Sequence, residues 1–253
     1  MELEARLAEA LATGDDSGLR ATLTSHSGLP GARMNLRLVG DFAEAVGAVV
    51  LRPDPPVQRL EDLLDGWAAV DAPGDEPEVI LPCAAHAAYG EVGAVRPDWW
   101  DDEIAKLRRG ATDDRWRVRE VVAQALQRLL DADWPRTIDA LLAWAADPDP
   151  LVVRAAAAGV AEPRLVRAEP AARDAVEVQR RAVATYRSLP PERRRRDDAK
   201  ALRQALGFTL SVPSAVTGDL TLLDELASSG DRDLEWIARQ NLGKSRLARW
   251  RST

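Results

Sequence analysis

Apolar residues recur along this chain at the three-to-four spacing of one helical face. The clearest stripe runs through Val118, Val122, Ala125 and Leu129, and Val121 and Leu126 widen it. Arg117, Glu120, Gln124, Gln127 and Asp131 fall on the opposite side. A stripe this broad predicts a helix that packs on neighbours rather than on solvent. Asp114 stands just before it, where a carboxylate can accept from the unpaired amides of a first turn and so cap the helix.

The same periodicity predicts a helix over residues 2–13 and a short one carrying Leu19 and Leu23. Further helices follow near 35–50 and 57–70. Residues 25–31 and 71–77 are rich in Gly, Pro, Ser and Asp and read as loops. Val79–Tyr89 is a helix of small residues suited to tight packing, and Gly90–Pro97 reads as a connection. A helix from Pro97 to Arg109 comes next. Beyond the central region, one long helix opens at Pro170 and reaches Tyr186. Pro190-Pro191 breaks the chain, and the next helix carries Arg193–Arg196, Ala199, Leu202 and Leu206. A tail, Lys244–Thr253, ends the sequence.

The central design repeats. Asp147-Pro148-Asp149-Pro150-Leu151-Val152-Val153-Arg154 matches the approach to Val118-Arg119, 35 residues on. A weaker copy is Asp231-Arg232-Asp233-Leu234-Glu235-Trp236-Ile237-Ala238. Each copy follows a shorter apolar helix: Ile104 and Leu107, then Ile138, Leu141 and Leu142, then Leu220, Leu223 and Leu226. Two helices per unit at such a period predict a helical solenoid.

Asp-Pro-Asp-Pro followed by an apolar residue, Arg and small residues resembles the HEAT repeat, most strongly over residues 98–165. The resemblance implies an all-α fold, a right-handed superhelix of antiparallel helix pairs. It also implies a ladder between neighbouring helices, formed by Asp114, Arg119, Asp149 and Arg154. Glu235 replaces the Arg in the third copy, so the ladder is expected to end there. One solenoid over 1–253 is expected, with divergent N-terminal helices at 1–92, two clear repeats at 93–168 and basic repeats at 169–253.

Composition narrows the class. Residues 1–150 hold 15 basic and 28 acidic residues, net −13, whereas 151–253 hold 19 and 13, net +6. The basic half hints at an anionic partner, while the overall charge of −7 argues against a general nucleic-acid binder. One Cys excludes an internal disulfide framework, and no apolar run reaches the length of a membrane span. Met1-Glu2-Leu3-Glu4 is acidic and amphipathic, unlike a secretory signal. A cytoplasmic protein with no membrane partner is expected.

Candidate chemistry is sparse. Cys83 and His86 share a helical face, but a metal needs three or four ligands and the second His, His26, lies far away in sequence. They read as packed core, so no metal is expected. Ser25-His26-Ser27 reads as a hydrogen-bonded turn rather than a nucleophile with its base. Phosphate-binding glycine loops and hydrolase, kinase and zinc-protease signatures are missing, so neither cofactor nor catalytic residue is expected. The acidic pairs, Asp101 to Glu103 among them, read as helix starts and solvated faces.

Eight Trp remain, and second helices of HEAT-like units usually line a concave surface. That places a candidate binding surface at Trp116, Arg117, Glu120, Gln124, Trp236, Arg239 and Gln240. Arg180, Arg181, Arg193, Arg194, Arg195 and Arg196 are candidates for phosphate contact. The leading expectation is a non-catalytic scaffold for a protein or peptide. The alternative rests on a distant resemblance, in Trp116–Glu120 and Val153–Leu165, to bacterial HEAT-like alkylpurine DNA glycosylases, which act in DNA repair. That group uses Trp and Asp on a basic concave face, but here a Trp followed four residues later by Asp occurs only at Trp67 and Asp71.

Overall fold

The computed structural model describes residues 2–250, and within them the chain forms α-helices and two 3-10 turns with no strand. Met1 and the last three residues of the expected tail lie outside the described residues. Contacts divide the chain into two units, Met1–Ala132 and Asp133–Thr253. The block 93–168 therefore falls on both sides of the division.

The first unit holds α1 (Glu2–Thr13), α2 (Ser17–Ser25), α3 (Leu36–Val50) and α4 (Val57–Ala68). It continues with α5 (Ile80–Val95), α6 (Trp100–Ala111) and α7 (Trp116–Ala132). Helix α5 is its hub, packed against α2, α3, α4, α6 and α7 and buried without a break from Ile80 to Gly90. Small residues make this possible. A Cβ on Gly90 would stand 2.6 Å from the Ala125 Cβ and 2.7 Å from its Cα, so α5 and α7 meet almost backbone to backbone. The helix also runs past Tyr89, where the sequence predicts a connection. Gly90 and Gly93 are places of close approach, to Ala125 and to Leu129, rather than turn residues. Phe42 and Trp67, both fully buried, stack at 5.1 Å and fill the space between α3 and α4.

The second unit holds α8 (Trp134–Trp144), α9 (Pro150–Gly159), α10 (Glu169–Ser188) and the single turn α11 (Pro191–Arg194). It ends with α12 (Asp197–Thr209), α13 (Ser211–Thr217), α14 (Thr221–Ala227) and α15 (Arg232–Leu242). Helix α12 packs on α9, α10 and α15. Arg193–Arg196 therefore does not open one helix. It ends α11 and leads into α12, whose first turn carries Asp197 and Asp198 instead, the sign the macrodipole favours.

Buried polar side chains link the helices of this unit. Gln179 donates to Ala157 O (2.8 Å) and accepts from Thr209 Oγ1 (2.9 Å). Asn241 accepts from Ser211 N (2.9 Å) and donates to Leu206 O (2.7 Å) and Ile237 O (2.8 Å). Pro213 cannot continue α12 without clashing one turn back, and the Asn241 amide satisfies a backbone group at the resulting break.

Capping of the repeated helices differs in one respect from the expectation. Asp149 and Asp231 accept from the amides of Leu151 and of Asp233 and Leu234, and so cap α9 and α15. Before α7 the accepting carboxylate is Asp113, from Arg115 N at 2.8 Å, in the turn that leads into the helix, and it matches Asp147 before α9 rather than the capping Asp149. Asp113 is also the residue that Arg115 grips with two further bonds, from Nε at 2.9 Å and Nη2 at 2.7 Å, which fixes the turn at this point.

Candidate functional site

Several arginines do one recurring job: they donate to the carbonyls that helix ends leave unpaired. Arg59 reaches Leu11 O and Ala12 O, Arg96 reaches Val50 O, and Arg194 reaches Arg187 O and Leu189 O. At the start of α7 the same device holds the loop after α4. Arg115 donates to Val70 O (2.6 Å) and Arg117 to Gly74 O (2.7 Å), with Asp75 at 3.3 Å as a second partner of Arg117.

Arg117 is thus buried, although the helical pattern puts it on the outward face. Its guanidinium turns back under a loop that periodicity alone cannot place. Above it lies Trp116, whose ring faces the Arg117 guanidinium at 4.3 Å and is still 53% exposed. An aromatic held in place from below and open above is a preorganised anchor. Glu120 is exposed and Gln124 half-buried on the same helix.

The other expected surface residues fare differently. Trp236 is half-buried, with the Arg203 guanidinium over its ring at 4.1 Å and Gly207 beneath it. Arg239 is exposed and Gln240 half-buried. Of the phosphate candidates, Arg193 forms a double bond pair with Asp198 (2.5 and 2.7 Å) and Arg194 pairs with Asp231. Arg181 pairs with Glu177, Arg180 is half-buried, and Arg195 and Arg196 are exposed. These ion pairs hold the Asp198 carboxyl below its usual range, and Asp231 too despite its burial. In the expected ladder, Arg119 donates to Asp113 O and Asp114 O of its own turn, Asp149 caps its own helix, and Arg154 is half-buried on α9.

A second feature went unnoticed in the sequence. A cavity of about 320 Å³ opens among α4, α5 and α6, lined by Asp65, His86, Tyr89, Lys106, Arg109 and Asp113 with small residues between. Its neighbour of about 620 Å³ runs along Ala68–Pro73 and Thr112–Arg115. Tyr89 donates to Asp65 Oδ1 at 2.7 Å, and the Lys106 ammonium lies 4.9 Å from the Tyr89 ring centre. Lys106 also pairs with Glu103 at 3.0 Å, a carboxylate only 3% exposed and pushed up to about 7 by burial against the pull of Lys106. Burial lowers the His86 pKa, and its Nδ1 meets Pro82 O at 2.7 Å. Neutral His86 therefore donates from Nδ1 and keeps Nε2 as an acceptor. Tyr89 is pushed above its ordinary value by burial and by the Asp65 carboxylate.

The available signal was the presence of two polar rings, His86 and Tyr89, three apart on a helix otherwise built of small apolar residues. Glu103, read as part of a solvated helix start, is instead turned inward beneath Gly93. Cys83 is buried, and burial pushes its thiol up to about 12, so it is no thiolate nucleophile at neutral pH. Among the described residues, no group of three or more His, Cys, Asp or Glu side chains is arranged to hold a metal ion. Ser25, His26 and Ser27 bond within their own turn, to Thr22 O and Leu29 N among others. No described helix is long and apolar enough to cross a membrane.

The chain is thus an all-helical protein with an exposed, braced tryptophan and a polar cleft in its first unit. Comparison with family models, with curated proteins and with solved structures finds no match for it.

Proposed function

We propose that this chain is a non-catalytic HEAT-like scaffold, a right-handed superhelix of stacked helix pairs, that binds a protein or peptide partner in the cytoplasm. The observation that carries the reading is Trp116: an exposed ring fixed over a buried arginine is the kind of side chain that dominates peptide recognition. The net charge of the unit that carries it bears on the partner's chemistry, by long-range steering rather than by local contact. Residues 1–132 hold 14 basic and 24 acidic residues, net −10, which favours an apolar anchor flanked by Lys or Arg.

The nucleic-acid alternative draws less support. Arg193 and Arg194 are neutralised by Asp198 and Asp231, and a phosphate would have to displace those carboxylates. Trp67, the one Trp four residues before an Asp, is fully buried against Phe42 and donates to Asp16 at 2.6 Å. It is committed to the core rather than to stacking on a base.

Selection of peptides from a random display library against the purified chain tests the reading. Peptides with an aromatic or aliphatic anchor beside basic residues are expected, and Trp116→Ala should weaken them about tenfold or more. Unaltered binding in that variant sinks the assignment of the surface. Tight duplex binding that collapses as salt is added would replace the scaffold reading with the nucleic-acid one.

A further inference from the structure

We propose that the groove between the loop after α4 and the turn before α7 is the specificity pocket of the Trp116 surface, and that it takes a Lys or Arg side chain of a bound peptide. The inference rests on the scaffold reading above and adds a local contact to it. The groove, of about 620 Å³, has Ala68–Pro73 along one wall and Thr112–Arg115 along the other. Trp116 follows directly on the second wall. Arg117, whose guanidinium faces the Trp116 ring, donates to the carbonyl of Gly74, the residue after the first wall. Ring and groove are therefore braced by the same loop and form one surface.

The electrostatics of the groove favour a cation. Its lining carries three carboxylates, Asp71, Asp113 and Asp114, against one base, Arg115. Arg115 is neutralised by Asp113, with bonds at 2.9 and 2.7 Å, so the exposed Asp71 and Asp114 set the sign. Two helices also end here, since the residues that close α4 and α6, Ala69 and Thr112, both belong to the lining. The C-terminal end of a helix carries negative partial charge, which adds to that of the carboxylates. The chain itself shows the fit: the Arg115 guanidinium already donates to Val70 O at 2.6 Å in this groove.

The remaining wall is apolar. Ala69, Val70 and Pro73 can cover the methylene stem of a long basic side chain while its head meets Asp71 and Asp114. An acidic side chain would meet like charge from both carboxylates and both helix ends. With an apolar residue seated on Trp116, the occupant is a peptide segment that carries a basic residue close to its anchor.

The test uses the full chain and the tightest peptide from the display selection, read by fluorescence anisotropy, with copies in which each Lys or Arg in turn is changed to Gln. The change at one position should weaken binding about fivefold or more. The double variant Asp71→Asn with Asp114→Asn should weaken the parent peptide by a similar factor and leave that Gln peptide unaffected, so that the two losses do not add. Both positions are exposed, and the melting temperature should stay the same. A second double variant, Glu44→Gln with Asp54→Asn, removes the same charge from exposed positions of the same unit that do not line the groove. It should bind the parent peptide as the unaltered chain does, which separates local contact from long-range attraction. The proposal is overturned, with the scaffold reading intact, if the selected peptides need Trp116 but hold no preferred basic residue, if the two double variants bind alike, or if the Asp71 and Asp114 changes have no effect. Peptides indifferent to Trp116→Ala would overturn both.

Discussion

The two units solve the same problem, packing short helices, by different chemistry. In the first, a helix of small residues is buried as a hub, and α7 comes close enough to it that glycine is required. Dispersion at short range joins the helices along this hub, with polar links such as Tyr89 to Asp65 and Arg96 to Val50 O around it. In the second, residues 133–253 carry 20 basic and 17 acidic residues, and the helices are linked by amides, hydroxyls and ion pairs. Close apolar contact tolerates no added volume. Polar linkage tolerates volume but not the loss of a partner. The two units should therefore fail under different substitutions.

The largest effect is expected at the hub. Gly90→Ala gains roughly 1 kcal/mol of helix propensity, as any such change does in a helix interior. Against this, the new methyl overlaps the Ala125 backbone, which cannot swing aside as a side chain can. Overpacking of this kind wins, and we expect a net loss of about 3 kcal/mol or more. Urea unfolding measures it; a variant as stable as the parent would mean that α5 and α7 are farther apart than described.

Asn241→Ala tests the other unit. It removes the acceptor for Ser211 N and the donor to Leu206 O, at a site with no access to water. Leaving those backbone groups unpaired should cost about 2–3 kcal/mol. Asn241→Leu, close in volume but apolar, should not restore stability, since the unpaired groups belong to the backbone. Full stability in the leucine variant would show that packing, not hydrogen bonding, governs this unit too.

How much of this contrast could be read in advance follows from what helical periodicity encodes. It reports which face is apolar, so most helices, the loops at 25–31 and 71–77 and the buried valines of α7 were legible. It does not report how near a neighbour comes, so Gly90 read as a connection although it lies within α5. Nor does it report where a long side chain ends. Arg117 and Glu103 occupy positions of mixed polarity, and both turn inward because a loop carbonyl and a lysine on another turn or element are there to meet them. The polar cleft was hidden for the same reason: Asp65, Tyr89 and Lys106 lie on three helices, and only packing brings them together.

Buried titration sharpens the comparison further. Glu103 is pushed up to about 7 from an ordinary 4.5, so between those values the unfolded chain gives up a proton that the folded chain keeps. Its contribution to stability is therefore full below pH 4.5 and lost as pH rises to about 7. In Glu103→Gln that decline should vanish, a relative gain on the order of 2 kcal/mol near neutral pH, read from urea midpoints at several pH values. His86 acts with the opposite sign, since its lowered pKa favours the fold above its ordinary 6.5 and costs stability as pH falls. Because His86 is present in both proteins, their difference isolates Glu103. Parallel pH profiles for parent and variant would place Glu103 in water. In the second unit Asp198 and Asp231 are lowered, so their contribution is present at neutral pH and lost only in acid.

The smallest effect asks how far the crowding around α5 extends. Gly66 lies in the interior of α4, exposed, and a Cβ there would meet nothing within 4 Å. The substitution that should damage Gly90 should help here, because only the backbone term remains. Gly66→Ala restricts the unfolded chain and supplies the better helix former, for a gain of about 0.5–1 kcal/mol. Thermal and urea unfolding should both show it. The opposite signs at two glycines of one unit would locate the close packing at the hub itself. A loss at Gly66 comparable to that at Gly90 would mean that α4 is crowded as well, and that the first unit differs from the second throughout rather than at one helix.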